Sequence, residues 1–103
     1  MSINAKLSIL TQKVYSLTKQ IPKGKVIAYK GIAKELGNPK LARVVGNILN
    51  KNKDPKVPCH RIIRSDGRIG GYNQGCGKKL LLLKKEGVKI KNRKVDQSFF
   101  FNK

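Results

Sequence analysis

The sequence predicts a mainly α-helical, winged-helix-like domain built on a helix-turn-helix, with one short β-hairpin. Three observations point there. Apolar residues recur at intervals of three and four along three stretches of the N-terminal half. A Gly37-Asn38-Pro39 turn joins the second stretch to the third. Asp66-Gly67, a favoured hairpin turn, lies between apolar residues. With 103 residues the chain is expected to form one small domain, residues 1–103, with a core over roughly 7–87 and a basic tail over 88–103.

Leu7, Leu10, Val14, Leu17 and Ile21 share one face of a first helix, which Pro22-Lys23-Gly24 stops. Val26 to Ala28 is a short extended link. A second helix is expected from Tyr29 to Leu36, with Ile32, Ala33 and Leu36 inward and Gly37 ending it. Asn38 suits a helix cap and Pro39 a first helical position. The third helix is expected to run to Asn50. It would bury Leu41, Val44, Val45, Ile48 and Leu49 and leave Lys40, Arg43, Asn47 and Lys51 as a polar, basic stripe. In a helix-turn-helix that second helix faces the nucleic acid. A plain helical hairpin with a solvated basic face has the same periodicity.

Residues 50–58 form a loop, and Arg61 to Ile69 the expected hairpin about Asp66-Gly67. Gly70 to Gly77 is a glycine-rich loop suited to close approach by a ligand. It lacks the spacing and lysine of a phosphate-binding loop, which argues against nucleotide hydrolysis. A last helix is expected from Lys78 to Glu86, closed by Gly87. Phe99-Phe100-Phe101 is expected to dock on the domain or on a partner.

Lys plus Arg number 24 against 5 Asp plus Glu, a net charge of +19. Ordinary soluble domains mix both signs, so this field makes a polyanion, nucleic acid first, the default partner. The longest apolar run, Leu80 to Leu83, is far too short to cross a bilayer. Met1 to Leu10 lacks the pattern of a secretory signal. A cytoplasmic monomer without membrane contact is therefore expected. The two cysteines, Cys59 and Cys76, do not form a disulfide framework. With the single histidine, His60, they supply three ligands at no familiar zinc spacing, so no metal is expected.

Cys59 stands between the basic helix and the glycine-rich loop. Pro58 precedes it and fixes the local backbone, and His60 follows. A thiolate is a soft nucleophile suited to saturated carbon, and surrounding positive charge and His60 would favour its formation. A buried structural cysteine beside a core histidine is the plainer alternative. Adjacent residues of an extended chain point apart, so His60 would reach the thiol through a water, oriented by a carboxylate on its far side. Among Glu35, Asp54, Asp66, Glu86 and Asp96, the best placed is Glu86 on the last helix. A surface ion pair is its ordinary alternative role.

Val57-Pro58-Cys59-His60-Arg61-Ile62-Ile63 closely resembles the active-site motif of the O6-alkylguanine-DNA alkyltransferases. The resemblance runs from Leu10 to Gly87. It takes in Ile27-Ala28-Tyr29, Gly37-Asn38-Pro39-Lys40, Ala42-Arg43-Val44-Val45-Gly46, Asn52, Gly70-Gly71-Tyr72 and Glu86-Gly87. It implies that Cys59 accepts an alkyl group from O6 of guanine, irreversibly and once per chain, since nothing evident would break the resulting thioether. No cofactor is implied. His60 would deprotonate Cys59 through water, Glu86 would orient His60, and Asn52 would brace the loop. Tyr29 would donate a proton to the departing base. Arg43 would fill the gap in the base stack of double-stranded DNA and hold the nucleotide extrahelical. Backbone groups near Val57, Cys59 and Asn73 would read the guanine edge, and Tyr72 would wall the pocket. The recognition helix would enter the minor groove, with Ala42 and Gly46 permitting close approach and Lys40 and Asn47 contacting the backbone.

The chain departs from that pattern in places. Most members carry a further N-terminal domain, for which Met1 to Ile9 leaves no room. The catalytic domain is thus expected to stand alone, as a minimal version, or with a partner chain. The loop from Asn52 to Cys59 is a residue short, Asn73 replaces a serine of some members, and the tail after Gly87 has no counterpart. Two other readings compete. Alkyltransferase-like proteins bind alkylated DNA without transfer and typically replace the reactive cysteine, often with tryptophan; here Cys59 is kept and there is no Trp. A winged-helix regulator would explain the helices and charge, but not Cys59, His60 and Glu86 in register.

Overall fold

The protein, seen in a computed structural model, is described over residues 3–70 and 76–101. Helix α1 (Ile3–Lys19) turns Leu10, Val14 and Leu17 inward, and Val14 is fully buried; the side chain of Leu7 lies outside the described residues. Gly24, at φ +86, completes the turn out of it. Strand β1 (Ile27–Ala28) leads into α2 (Tyr29–Glu35), which buries Ile32 and Ala33. Gly37, at φ +98, ends that helix in the left-handed region that glycine enters without strain.

The third expected helix begins differently. Pro39–Leu41 is a 3-10 turn, and the α-helix proper, α3, spans Ala42–Asn50. Asn38 Oδ1 accepts from the Lys40 N–H at 3.0 Å, the expected cap, but the tighter turn delays the α-helix by three residues. Val45, Ile48 and Leu49 are buried, whereas Lys40, Arg43, Asn47 and Lys51 are exposed. The close packing of α2, the turn and α3 is the helix-turn-helix.

The hairpin expected over Arg61–Ile69 is not a strand pair. Asp66-Gly67 does turn the chain, with Arg64 N–H donating to Arg68 O at 2.8 Å. Strand β2 (Ile62–Ile63), however, pairs in parallel with β1, Ile27 opposite Ile62 and Ala28 opposite Ile63. Both isoleucines are fully buried, on opposite faces. Ile62 joins the cluster made by α1, α2 and α3, and Ile63 joins a second cluster with Val26, Leu83, Val88 and Val95. A strand buried on both faces belongs inside the molecule, beside β1, rather than on a solvated wing.

The β-hairpin lies instead in the basic tail. Helix α4 (Cys76–Lys85) starts two residues before the expected Lys78 and is closed by Gly87 at φ +91. Strands β3 (Ile90–Lys91) and β4 (Lys94–Val95) then pair antiparallel. Asn92 and Arg93 both take positive φ, 54° and 61°, as a two-residue turn of the right hand requires. Val88 and Val95 are buried, and Phe99 and Phe100 pack on their cluster. Val26 N–H donates to Phe99 O at 2.9 Å, and Phe101 N–H donates to Val26 O at 2.7 Å. The phenylalanines therefore dock on the domain, and the core continues past residue 87. Among the described residues, no helix is long and apolar enough to cross a membrane.

Gly67 joins the two halves of this second layer. Its φ is +92, its carbonyl accepts from Val95 N–H at 2.8 Å, and a Cβ there would stand 2.8 Å from Val95 O. Gly67→Ala therefore combines backbone strain with a backbone clash. We expect it to cost roughly 2–3 kcal/mol in urea denaturation. A loss below about 0.5 kcal/mol would contradict this packing.

Candidate active site

Cys59 opens a 3-10 turn, Cys59–Arg61, between the loop after α3 and β2. Its N–H donates to Val57 O at 2.8 Å, and Arg61 N–H donates to Pro58 O at 3.0 Å. The side chain of Asn52, almost wholly buried, braces the loop from inside. Asn52 Nδ2 lies 3.1 Å from Asp54 O and 3.3 Å from Cys59 Sγ, and Oδ1 accepts from Asp54 N–H at 3.0 Å. The short loop thus still brings Asn52 to the sulfur. Its amide supplies a hydrogen-bond donor to a thiol or thiolate without needing a charge.

His60 follows Cys59 within the 3-10 turn, not on the extended chain expected from the sequence. Its Nε2 is 2.9 Å from Glu86 Oε2. Arg61 grips the same carboxylate twice, Nε to Oε1 at 2.9 Å and a terminal nitrogen to Oε2 at 2.7 Å, and donates to Ile21 O at 2.8 Å. Burial pushes the Glu86 carboxyl up, but the bonds from Arg61 and His60 outweigh it and hold it below the usual carboxylate range. Burial lowers the His60 pKa. The Glu86 hydrogen bond and charge act the other way without overcoming it, because Arg61 already neutralises much of that charge. A neutral ring that donates from Nε2 to a carboxylate leaves Nδ1 as its proton acceptor.

Tyr29 starts α2 directly after β1. Lys79, fully buried on α4, donates from Nζ to the Tyr29 hydroxyl at 3.3 Å and lies 5.5 Å from its ring centroid. Lys79 has no acceptor, so the phenol oxygen accepts in this bond.

A cavity of about 470 Å³ opens at Cys59, within the size range of small-molecule sites. Tyr29, Arg64 and Gly70 line it beside Cys59, and α3 contributes Ala42, Arg43, Gly46 and Asn47. A Cβ on Gly46 would stand 3.8 Å from the Tyr29 ring, an ordinary contact. Packing within the protein therefore does not require glycine at 46.

The geometry forms two pairs, Asn52 with Cys59 and His60 with Glu86, linked through the adjacent positions of Cys59 and His60 in the chain, with Tyr29, Arg43, Ala42, Gly46 and Asn47 around the adjoining cavity. Lys40 is exposed on the turn before α3 and is not among the cavity-lining residues. Tyr72 and Asn73, with most of the glycine-rich loop, lie outside the described residues. Sequence reading missed Arg61, Arg64 and Lys79 as parts of the site. Lys79 carried a signal: it stands seven residues before Glu86, two helical turns along one face.

These ionisations predict an acid-sensitive fold. When His60 unfolds it takes up a proton near pH ~6.5, which the buried native ring resists, so stability falls as pH drops below that value. Glu86 stays ionised in the native state after its unfolded counterpart protonates, which adds a second loss below about pH 4.3. Glu86→Gln should remove the second loss and cost roughly 3 kcal/mol at neutral pH by stranding Arg61. Urea denaturation across this range checks both. A wild-type curve flat between about pH 7 and pH 5 would contradict the His60 assignment.

The family model described as the DNA-binding domain of 6-O-methylguanine DNA methyltransferase matches residues 10–88. The methylated-DNA–protein-cysteine methyltransferase of Methanosarcina acetivorans is 44% identical over 79 residues, 74% of this chain and 49% of that protein. Among solved structures, S. pombe Atl1 in complex with damaged DNA containing O6-carboxymethylguanine is similar over 100% of both chains, with a TM-score of 0.83 and 29% identity. Mycobacterium tuberculosis OGT in complex with DNA matches 76% of this chain and 48% of its own, with a TM-score of 0.72 and 37% identity. The chain spans about half the length of that Methanosarcina protein and 28% of the bifunctional methyltransferase/endonuclease of Picrophilus torridus, to which it is 42% identical over 84 residues. By its motifs, its fold and these matches, the chain belongs to the O6-methylguanine-DNA methyltransferase family.

Proposed function

We propose that this chain binds double-stranded DNA containing O6-alkylguanine, takes the damaged base into the Cys59 cavity and transfers the alkyl group to Cys59. One observation carries the reading: the braced thiol and the exposed face of the second helix of the helix-turn-helix open onto the same cavity. A base leaving the stack beside that helix would have the sulfur within reach. Arg43 suits the vacated gap, because a planar guanidinium can stack where a base was. Gly46 and Ala42 keep the helix surface low for close approach to a groove.

The thiol proton passes to His60 Nδ1 through a bridging water, and Glu86 stabilises the imidazolium that forms. The sulfur then attacks the alkyl carbon attached to O6. The carbon–oxygen bond breaks as the carbon–sulfur bond forms, and its electron pair stays on the guanine. Tyr29 protonates the departing base, and Lys79 offsets the negative charge left on the phenol oxygen. The proton held by His60 restores Tyr29 through solvent. In sum, the thiol's proton replaces the alkyl group on guanine. The thioether has no evident way back, so each chain acts once.

A second reading is recognition of alkylated guanine without transfer. It is favoured by the similarity to Atl1 over the full length of both chains. It gives the Asn52–Cys59 contact and the His60–Glu86 pair a structural role only and no chemical one.

Duplex DNA carrying a labelled methyl on O6 of one guanine separates the two. The wild-type chain should take up the label. Cys59→Ala should take up none yet bind the duplex within about threefold of wild type, a difference below ~0.7 kcal/mol. Tight binding by wild type with all label left on DNA would favour recognition alone. Label on Cys59→Ala would overturn the role of Cys59.

A further inference from the structure

We propose that Arg64 binds a backbone phosphate of the nucleotide whose base enters the Cys59 cavity. This rests on the cavity being the base-binding site. The parallel register sets Ala28 opposite Ile63, so the next residue on each chain, Tyr29 and Arg64, emerges at the same end of the pair. Gly70 fits between them. A Cβ there would stand 3.5 Å from Arg64 Cγ and 3.5 Å from Tyr29 Cε2. Arg64, Gly70 and Tyr29 thus form one continuous wall of the cavity.

The placement of Arg64 is held at both ends. Its backbone is pinned by the Arg64 N–H to Arg68 O bond and by the Gly67 N–H to Arg64 O bond at 3.0 Å. Its stem lies near Gly70, while the residue as a whole is exposed. Among the described residues, no carboxylate forms an ion pair with it; Asp66, two residues on, pairs with Arg68 at 3.6 Å.

Among the described residues, nothing acidic lines the cavity, and its charged lining residues are Arg43 and Arg64. A base drawn into this space brings its phosphates to the mouth, where a guanidinium fork can bind the oxygens in pairs. Arg43, on α3, is committed to the duplex. Arg64 comes from the separate wall that holds Tyr29, and so would meet the extrahelical nucleotide.

The test measures binding of a single-O6-methylguanine duplex in the Cys59→Ala background, against salt, beside the same duplex with ordinary guanine. Arg64→Gln should weaken lesion binding about five- to tenfold and lower the slope of log K against log salt by about 1. The loss should be smaller on the undamaged duplex. Arg64→Lys should keep the wild-type slope. An unchanged slope in Arg64→Gln, or equal losses on both duplexes, would overturn the assignment. Methyl transfer by the wild-type chain is measured separately, so failure of the transfer reading and failure of the phosphate contact remain distinguishable.

Discussion

The carboxylate of Glu86 is the joint on which the site depends. It follows the last turn of α4, where the helix dipole disfavours an anion, and it is largely shielded from water. Arg61 offsets both costs with two charge-assisted bonds and then reaches Ile21 O beyond the end of α1. His60 uses the same carboxylate to fix its tautomer. Arg61 and His60 are the two residues that follow Cys59, so the contacts that join the end of α4 to Ile21, just past α1, also hold the turn bearing the thiol. Stability and the proposed chemistry share one ion cluster here, so the acid sensitivity expected of it bears on both.

With only five acids in the chain, their placement is informative. Asp54, Asp66 and Asp96 accept from backbone N–H groups two residues ahead and shape turns. The remaining positive charge is left mostly unopposed, as suits a surface that meets a polyanion. Besides Arg61, which Glu86 opposes, Lys79 stands apart among the described residues as a cation carried inward. Burying an ammonium is costly, and its hydroxyl contact and position over the Tyr29 ring recover part of the cost. Helix α4 therefore serves both ends of the proposed reaction, through Glu86 on the thiol side and Lys79 on the side of the departing base.

Much of this was legible in the sequence because it rests on local rules. Leu10, Val14 and Leu17 announce α1, although Ile21, expected on the same helix, is buried just beyond its end; Gly37-Asn38-Pro39 announces the turn, and Pro58-Cys59-His60-Arg61 the candidate site. What depended on partners distant in sequence was not legible. Ile62-Ile63 followed by Asp66-Gly67 resembles half of a hairpin, and only the tertiary fold shows that β1 takes the pairing. The hairpin at Asn92-Arg93 lacks the glycine that usually marks such a turn, and charge hid it in a basic tail. Arg64 and Lys79 are two among many cations until the β1–β2 register and the face of α4 set them against Tyr29.

Intact-protein mass after mixing with excess duplex containing one O6-methylguanine tests the transfer to Cys59 most directly. The prediction is a gain of one methylene, mapped by peptide analysis to Cys59 and stopping at one per chain. An unchanged mass while the lesion is bound tightly would contradict transfer.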